Sequence, residues 1–227
     1  MVAALITGAG GFVGRHLDAH LRSCGDQVTG TDRATGGADI LDPAAISRVV
    51  QAAHPEVIYH LAGQADVAAS WSDPAGTLRS NAEGTLNVLA AAAEAGVDRV
   101  IAVTSAEVYG PVSAQDLPIT EHMPLNPASP YAASKAAAEM ISIQWANKGL
   151  GVIRARAFNH LGPGQSERFV ASAIASRILR AQAGGLRSIQ VGNLGARRDF
   201  TDVRDVVRAY RRLAIDGVPG QAYNVCS

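Results

Sequence analysis

The chain has 227 residues, 48% of them hydrophobic, with 20 basic and 20 acidic side chains and no net formal charge. That length suits one large domain, or one domain with a small appendage, and supplies apolar side chains for a sizeable core. The charge balance argues against nucleic acid or an anionic membrane as partner, and no stretch approaches the roughly 18 uninterrupted apolar residues of a membrane span.

The opening Met1–Gly14 lacks the basic start and long apolar run of a signal peptide and reads as a first strand, Val2–Thr7. Further short apolar runs follow at Gln27–Asp32, Val57–Ala62, Val100–Thr104 and Val152–Ala157. Each is apolar nearly throughout and rich in Val and Ile, which predicts strands buried on both faces. Between them the 3.6-residue period predicts helices over Phe12–Ser23, Pro43–Ala53, Thr77–Ala95 and Tyr131–Lys148, with Gly25, Gly96 and Gly149 placed as C-caps. The alternation predicts an α/β fold, a doubly wound parallel Rossmann sheet with helices on both faces. Past Ala157 the pattern changes. Gly162-Pro163-Gly164 is a loop, Phe169–Ala183 a helix and Ser188–Val191 a short strand. Phe200–Ala214 reads as a helix with Asp199 or Thr201 near its N-cap, and Gln221–Cys226 as a closing strand.

The first strand runs into Thr7-Gly8-Ala9-Gly10-Gly11-Phe12-Val13-Gly14. Glycines at 8, 11 and 14 allow a tight turn, close approach of a pyrophosphate and close helix–strand packing, with the helix N-terminus facing the phosphates. A lone glycine triplet is a weak signal, but its place at the first strand–helix junction strengthens it. Asp32, ending the second strand, is placed to accept from adenine-ribose hydroxyls and to repel a 2′-phosphate. Arg33 could pair with such a phosphate. The reading is NAD(H) favoured, NADP(H) possible. Asp39 and Ile40, after a third short strand, are candidates to cap the adenine. Leu61, Ala62 and Gly63, ending the fourth, would lie along the middle of the cofactor.

Tyr131 and Lys135 stand one helical turn apart on one face. Ketone reduction needs a proton donor at the carbonyl oxygen, and a neighbouring ammonium would lower a phenol from its ordinary pKa near 10. Tyr-x-x-x-Lys alone is a common coincidence. Ser105, ending the fifth strand on the sheet edge where ligands gather, makes it a constellation. Only Lys135 and Lys148 are lysines in this chain, so lysine is not its usual surface filler.

These three features together resemble the extended short-chain dehydrogenase/reductase family, most of whose members act on nucleotide sugars. Ala157–Gln165, Val191-Gly192-Asn193-Leu194 and Arg197–Asp205 resemble the branch that handles GDP-4-keto-6-deoxy sugars. The resemblance implies an NAD(P)-dependent oxidoreductase, a reductase taking GDP-4-keto-6-deoxy-D-mannose to GDP-D-rhamnose, with a GDP-linked deoxy sugar as ligand. It implies that Asn159 touches the sugar diphosphate, Arg198 pairs with it, and Asn193 lies near the base. The bland alternatives are a turn for Asn159 and a surface ion pair with Asp202 for Arg198. Glu107, two positions past Ser105, matches the acid/base of GDP-mannose 4,6-dehydratases, so dehydratase or epimerase is the alternative reading. The resemblance also divides the chain into a dinucleotide-binding unit at 1–160 and 200–227 and a partial nucleotide-sugar lobe at 161–199. Relatives continue past the last strand with a stretch that completes this lobe, so the chain reads either as a fragment or as a short form. A non-catalytic dinucleotide-binding module is the third reading.

A homodimer through the Ala-rich helices Thr77–Ala95 and Tyr131–Lys148 is expected from the same resemblance. Cys24 and Cys226 form no disulfide framework and predict a cytoplasmic setting. His16 and His20 have helical spacing but no third ligand, so no metal is expected. Arg204, Arg208, Arg211 and Arg212 read as a solvated face balanced by Asp202, Asp205 and Asp216. Trp71 and Tyr109 read either as pocket lining or as core.

Overall fold

A strand can be apolar throughout only if both its faces are covered. The computed structural model, which describes residues 1–195 and 197–227, covers them with two separate cores. The elements are β1 (Ala3–Thr7), α1 (Phe12–Ser23), β2 (Gln27–Thr31), α2 (Pro43–Ala53), β3 (Val57–His60), α3 (Val67–Ser72), α4 (Pro74–Leu78), α5 (Gly84–Glu94), β4 (Arg99–Val103), α6 (Pro130–Asn147), β5 (Val152–Ala157), β6 (Asn159–Leu161), α7 (Val170–Ala183), β7 (Phe200–Asp202), α8 (Val203–Asp216) and β8 (Ala222–Val225). Among the described residues, six strands form one sheet in the order β2-β1-β3-β4-β5-β8. All its pairings are parallel.

Successive residues of each strand feed opposite cores. Ile6, Tyr59, Ile101 and Ile153 pack with Leu17 and Leu21 of α1 and Val206, Val207 and Tyr210 of α8. Leu5, Ile58, Val100 and Val152 pack with Ile46 and Val50 of α2 and Val88 and Leu89 of α5. Side chains of this size contribute about 1.5–3 kcal/mol each when fully buried, so both layers are firmly held. The expected doubly wound sheet is present.

Helix starts follow from local chemistry. Asp42, Asp66 and Asp73 each accept a backbone N–H at the first turn of α2, α3 and α4. Ser129 caps α6, with Pro130 opening its first turn. Gly25, Gly96 and Gly149 have left-handed backbone, as their C-cap placement predicts.

Four sequence expectations need correction. No strand lies between Thr31 and Val57: Arg33–Thr35 is a short 3-10 turn capped by Asp32, so Asp39 and Ile40 sit on a loop, and Leu61 and Ser105 follow the third and fourth strands. Ser188–Val191 is irregular, with no strand partner assigned. Phe200–Asp202 is not the start of a helix but a strand paired with β6; α8 begins at Val203, capped by Asp202. The helical stretch predicted from Thr77 starts at Pro74 and passes through a π turn at Arg79–Glu83 before α5. Local apolar content could not register the pairing of Phe200–Asp202 with Asn159–Leu161, because the partner lies about forty residues away.

Candidate active site

The chain leaves β1 towards β2 on one side and β3 on the other, which opens a crevice at the strands' carboxyl ends. That crevice is part of a cleft of about 1010 Å³. Gly8, Gly11, Phe12, Val13, Gly14, Asp32, Arg33, Asp39, Ile40, Leu61, Ala62, Gly63, Ser105, Glu107, Tyr131, Lys135 and Asn159 all line it.

Gly8 has φ +78°, and a Cβ there would stand 2.8 Å from the backbone nitrogen of Ala62. A Cβ on Gly14 would run into the Gly8 carbonyl and Ala9. The turn is therefore closed to side chains, and α1 packs directly on it. Gly11 is the N-cap of α1 and offers no side chain to its free N–H groups, which suits an anionic ligand. Gly10 is not part of the lining; its N–H donates to Asp32 Oδ2 at 3.1 Å. Asp32 Oδ1 accepts from Ala34 N at 2.8 Å. Its carboxylate is thus fixed at the end of β2. Arg33 Nη1 pairs with Asp39 Oδ2 at 3.2 Å. The cradle and the acid beyond it fit a nicotinamide dinucleotide.

Ser105 follows β4 and caps the short turn Ala106–Tyr109, its Oγ accepting from Glu107 N at 3.2 Å. Tyr131 is buried in the first turn of α6. Burial pushes its phenol above its ordinary pKa; the Ser105 hydroxyl opposes that rise and the Glu107 carboxylate adds to it. The Lys135 ammonium donates to the Val103 carbonyl at 3.0 Å. Burial brings Lys135 down to about 8.

Sequence reading missed the polar scaffold beneath these groups. The Thr85 hydroxyl donates to the Asn81 carbonyl at 2.6 Å, so it accepts from His60 Nε2 at 3.1 Å. His60 Nδ1 is then the acceptor for the Thr7 hydroxyl at 2.8 Å. Burial and the Lys135 charge bring His60 down to about 3. Asn81, on the π turn, accepts from Gln64 N and donates to the Gln64 carbonyl and to Ser134 Oγ, tying the loop after β3 to the helix that carries Tyr131. Behind Ser105, buried Glu139 receives a forked pair from Arg156 at 2.8 and 2.6 Å and the Thr104 hydroxyl at 2.8 Å. Arg156 also donates to the Tyr109 hydroxyl. The available signal was Glu139 itself, the one acid on α6, a turn past Lys135.

The structure does not bring every predicted residue to the cleft. Asn193 and Arg198 lie on an exposed irregular segment outside it, Asn193 accepting from Gly195 N and Arg198 donating to the Arg197 carbonyl. Asp202 pairs with Arg204, not with Arg198. Tyr109 is core and Trp71 is exposed outside the cleft. Arg208 and Arg212 pair with Asp205 and Asp216 on the surface of α8, whereas Arg211 reaches Asp26 at 2.8 Å. Among the described residues no group of His, Cys, Asp and Glu could hold a metal ion. No helix among them is long and apolar enough to cross a membrane.

A parallel doubly wound sheet with this cradle, serine and tyrosine–lysine pair defines an NAD(P)-dependent oxidoreductase of Rossmann type. The chain belongs to the NAD dependent epimerase/dehydratase family, whose model matches residues 4–226; this is the extended short-chain dehydrogenase/reductase group. It is 40% identical over 225 residues to a GDP-6-deoxy-D-mannose reductase of Pseudomonas aeruginosa, covering 98% of this chain and 73% of the relative. The solved structure of RMD from Pseudomonas aeruginosa complexed with NADPH superposes with a TM-score of 0.89 at 39% identity, covering 99% of this chain and 78% of that one. A UDP-glucose 4-epimerase of Thermus thermophilus complexed with NAD gives 0.88 at 29% identity, covering 99% and 77%.

Proposed function

We propose that the protein reduces the C4 ketone of GDP-4-keto-6-deoxy-D-mannose to the alcohol of GDP-D-rhamnose, with NAD(H) favoured over NADP(H). The observation that carries this reading is the meeting of Ser105, Tyr131 and Lys135 in one cleft with the glycine cradle. The 40% identity to the Pseudomonas reductase supports the choice of sugar.

When bound, the nicotinamide supplies a hydride to C4. Tyr131 gives its phenolic proton to the ketone oxygen, and burial suits this by keeping the phenol protonated beforehand. The Ser105 hydroxyl holds the same oxygen. Lys135 holds the nicotinamide ribose and, in its charged form, steadies the phenolate that Tyr131 leaves behind. Gly8–Gly14 would receive the pyrophosphate, Leu61–Gly63 would lie along the middle of the cofactor, and Asp39 and Ile40 would flank the adenine. Asp32 receives the adenine-ribose hydroxyls and repels a 2′-phosphate, while Arg33, held by Asp39, is drawn away from that role. Asn159 faces the sugar diphosphate from the far wall.

The test is an assay with this keto sugar and each reduced cofactor. GDP-D-rhamnose should form as reduced nicotinamide disappears; a chain that binds cofactor but never oxidises it in response to the sugar would sink the reading. Glu107 lining the cleft favours a second reading, dehydration of GDP-mannose or epimerisation of a related sugar. Release of a 4-keto-6-deoxy product from GDP-mannose without net cofactor consumption would select it. A homodimer through α5 and α6 accompanies either reading, supported by exposed Leu86 and Met140 on those helices; a monomeric mass by light scattering would refute it. The free, exposed thiols of Cys24 and Cys226 suit a cytoplasmic setting.

A further inference from the structure

The cleft carries more acid than base. Asp32, Asp39, Asp66, Asp73 and Glu107 line it, against Arg33, Lys135 and Arg168. Two of the three cations are engaged: Arg33 with Asp39 and half-buried Lys135 with the Val103 carbonyl. A ligand bearing a second diphosphate would meet repulsion along most of this surface. Arg168 is the exception. It lines the cleft just before α7, on the same wall as Asn159, His160 and Gln165. Among the described residues it has no ion-pair partner. The nearest acid in sequence, Glu167, is committed elsewhere, to Arg180 at 2.9 Å and to Ser176 Oγ at 2.8 Å. The backbone N–H of Arg168 donates to Ser166 Oγ at 3.3 Å. Phe169 follows, also lining the cleft and 38% exposed, an apolar neighbour for a sugar or base.

We infer that Arg168 receives the diphosphate of the nucleotide sugar. This extends the nucleotide-sugar reading above. It moves the diphosphate contact from Arg198, which lies outside the cleft, to an arginine that lines it. A guanidinium offers forked donors that match paired phosphate oxygens. On the reading above, the cofactor's own pyrophosphate would be held by the backbone N–H groups of the glycine cradle, so the two diphosphates would be recognised by different means.

The test is calorimetric titration of the NAD-bound chain with GDP, with guanosine as the probe lacking phosphate. Arg168→Ala should weaken GDP binding about tenfold, equivalent to about 1.4 kcal/mol. Guanosine binding and NAD(H) affinity should stay within about twofold of the parent. Arg168→Lys should recover part of the loss, since it restores charge but not the fork. Added salt should weaken the parent more than Arg168→Ala. An Arg168→Ala chain that binds GDP as the parent does, or an Arg198→Ala chain that alone loses GDP, overturns the inference. So does a parent chain that binds no GDP. Arg168-dependent GDP binding in a chain that never reduces the keto sugar would uphold this docking site and remove only the reductase reading.

Discussion

The ion pairs of the sheet unit and of the segment around α7 are built on opposite principles. Under the sheet's carboxyl edge, Glu139 is fully buried, and its two oxygens meet Arg156, Arg154 and the Thr104 hydroxyl. Around α7, Glu167 and Arg180 pair in the open, with side chains 56% and 71% exposed. A buried charge that loses its partner keeps its desolvation cost, whereas an exposed one regains water. The lesson is a division of labour. Residues that must hold Ser105, Tyr131 and Lys135 in register are over-determined; residues on the α7 wall are free to adjust to a ligand.

The first way to break this contrast is Glu139→Ala, which strands Arg156 in the interior. We expect about 3–5 kcal/mol of lost stability by denaturant titration; a loss below about 1 kcal/mol would mean that the buried network is not what holds the edge. Tyr131→Phe removes only the proton donor. It should lower kcat by about 10²–10⁴-fold with cofactor affinity intact, and normal turnover would remove Tyr131 from its role.

A third test uses acid. His60 has its folded pKa lowered from the ordinary value near 6.5 to about 3. Its contribution to stability is therefore complete above about 6.5 and is lost as pH falls towards about 3. Melting of the parent should decline over that window, and His60→Gln should flatten the decline; identical acid limbs would show that His60 does not couple to folding. Asp32→Ala should move the NADP(H)-to-NAD(H) affinity ratio up by about tenfold by deleting a like charge, read by fluorescence titration of both cofactors. Glu167→Ala should be the mildest, within about 0.5 kcal/mol of the parent. A larger loss would mean that the α7 surface is held as firmly as the sheet.

Much of the sheet unit was legible because its signals are local. Apolar runs of four to six residues and glycines at fixed offsets each act within one turn or one strand. Tyr131 and Lys135 were readable for the same reason. What was not legible depends on partners distant in sequence. The hydrogen bond from Asn81 to Ser134 spans 53 residues, and the Glu139–Arg156 fork joins a helix to a strand. The direction of the Tyr131 shift could not be foreseen from its spacing to Lys135, because burial of the phenol is its main cause. Asn193 and Arg198 were placed by motif alone, and the fold of their segment is not set by local periodicity.

The outermost position of β8 in the sheet has a consequence for how the molecule is made. β5 ends at Ala157, but the strand that covers its outer edge arrives only with Ala222–Val225. At a synthesis rate of about 5–20 residues per second, that edge stays open for several seconds after β5 leaves the ribosome. An open strand edge is a template for unwanted pairing. The nascent chain therefore carries an unpaired β5 edge through the interval in which the residues between β5 and β8 are made.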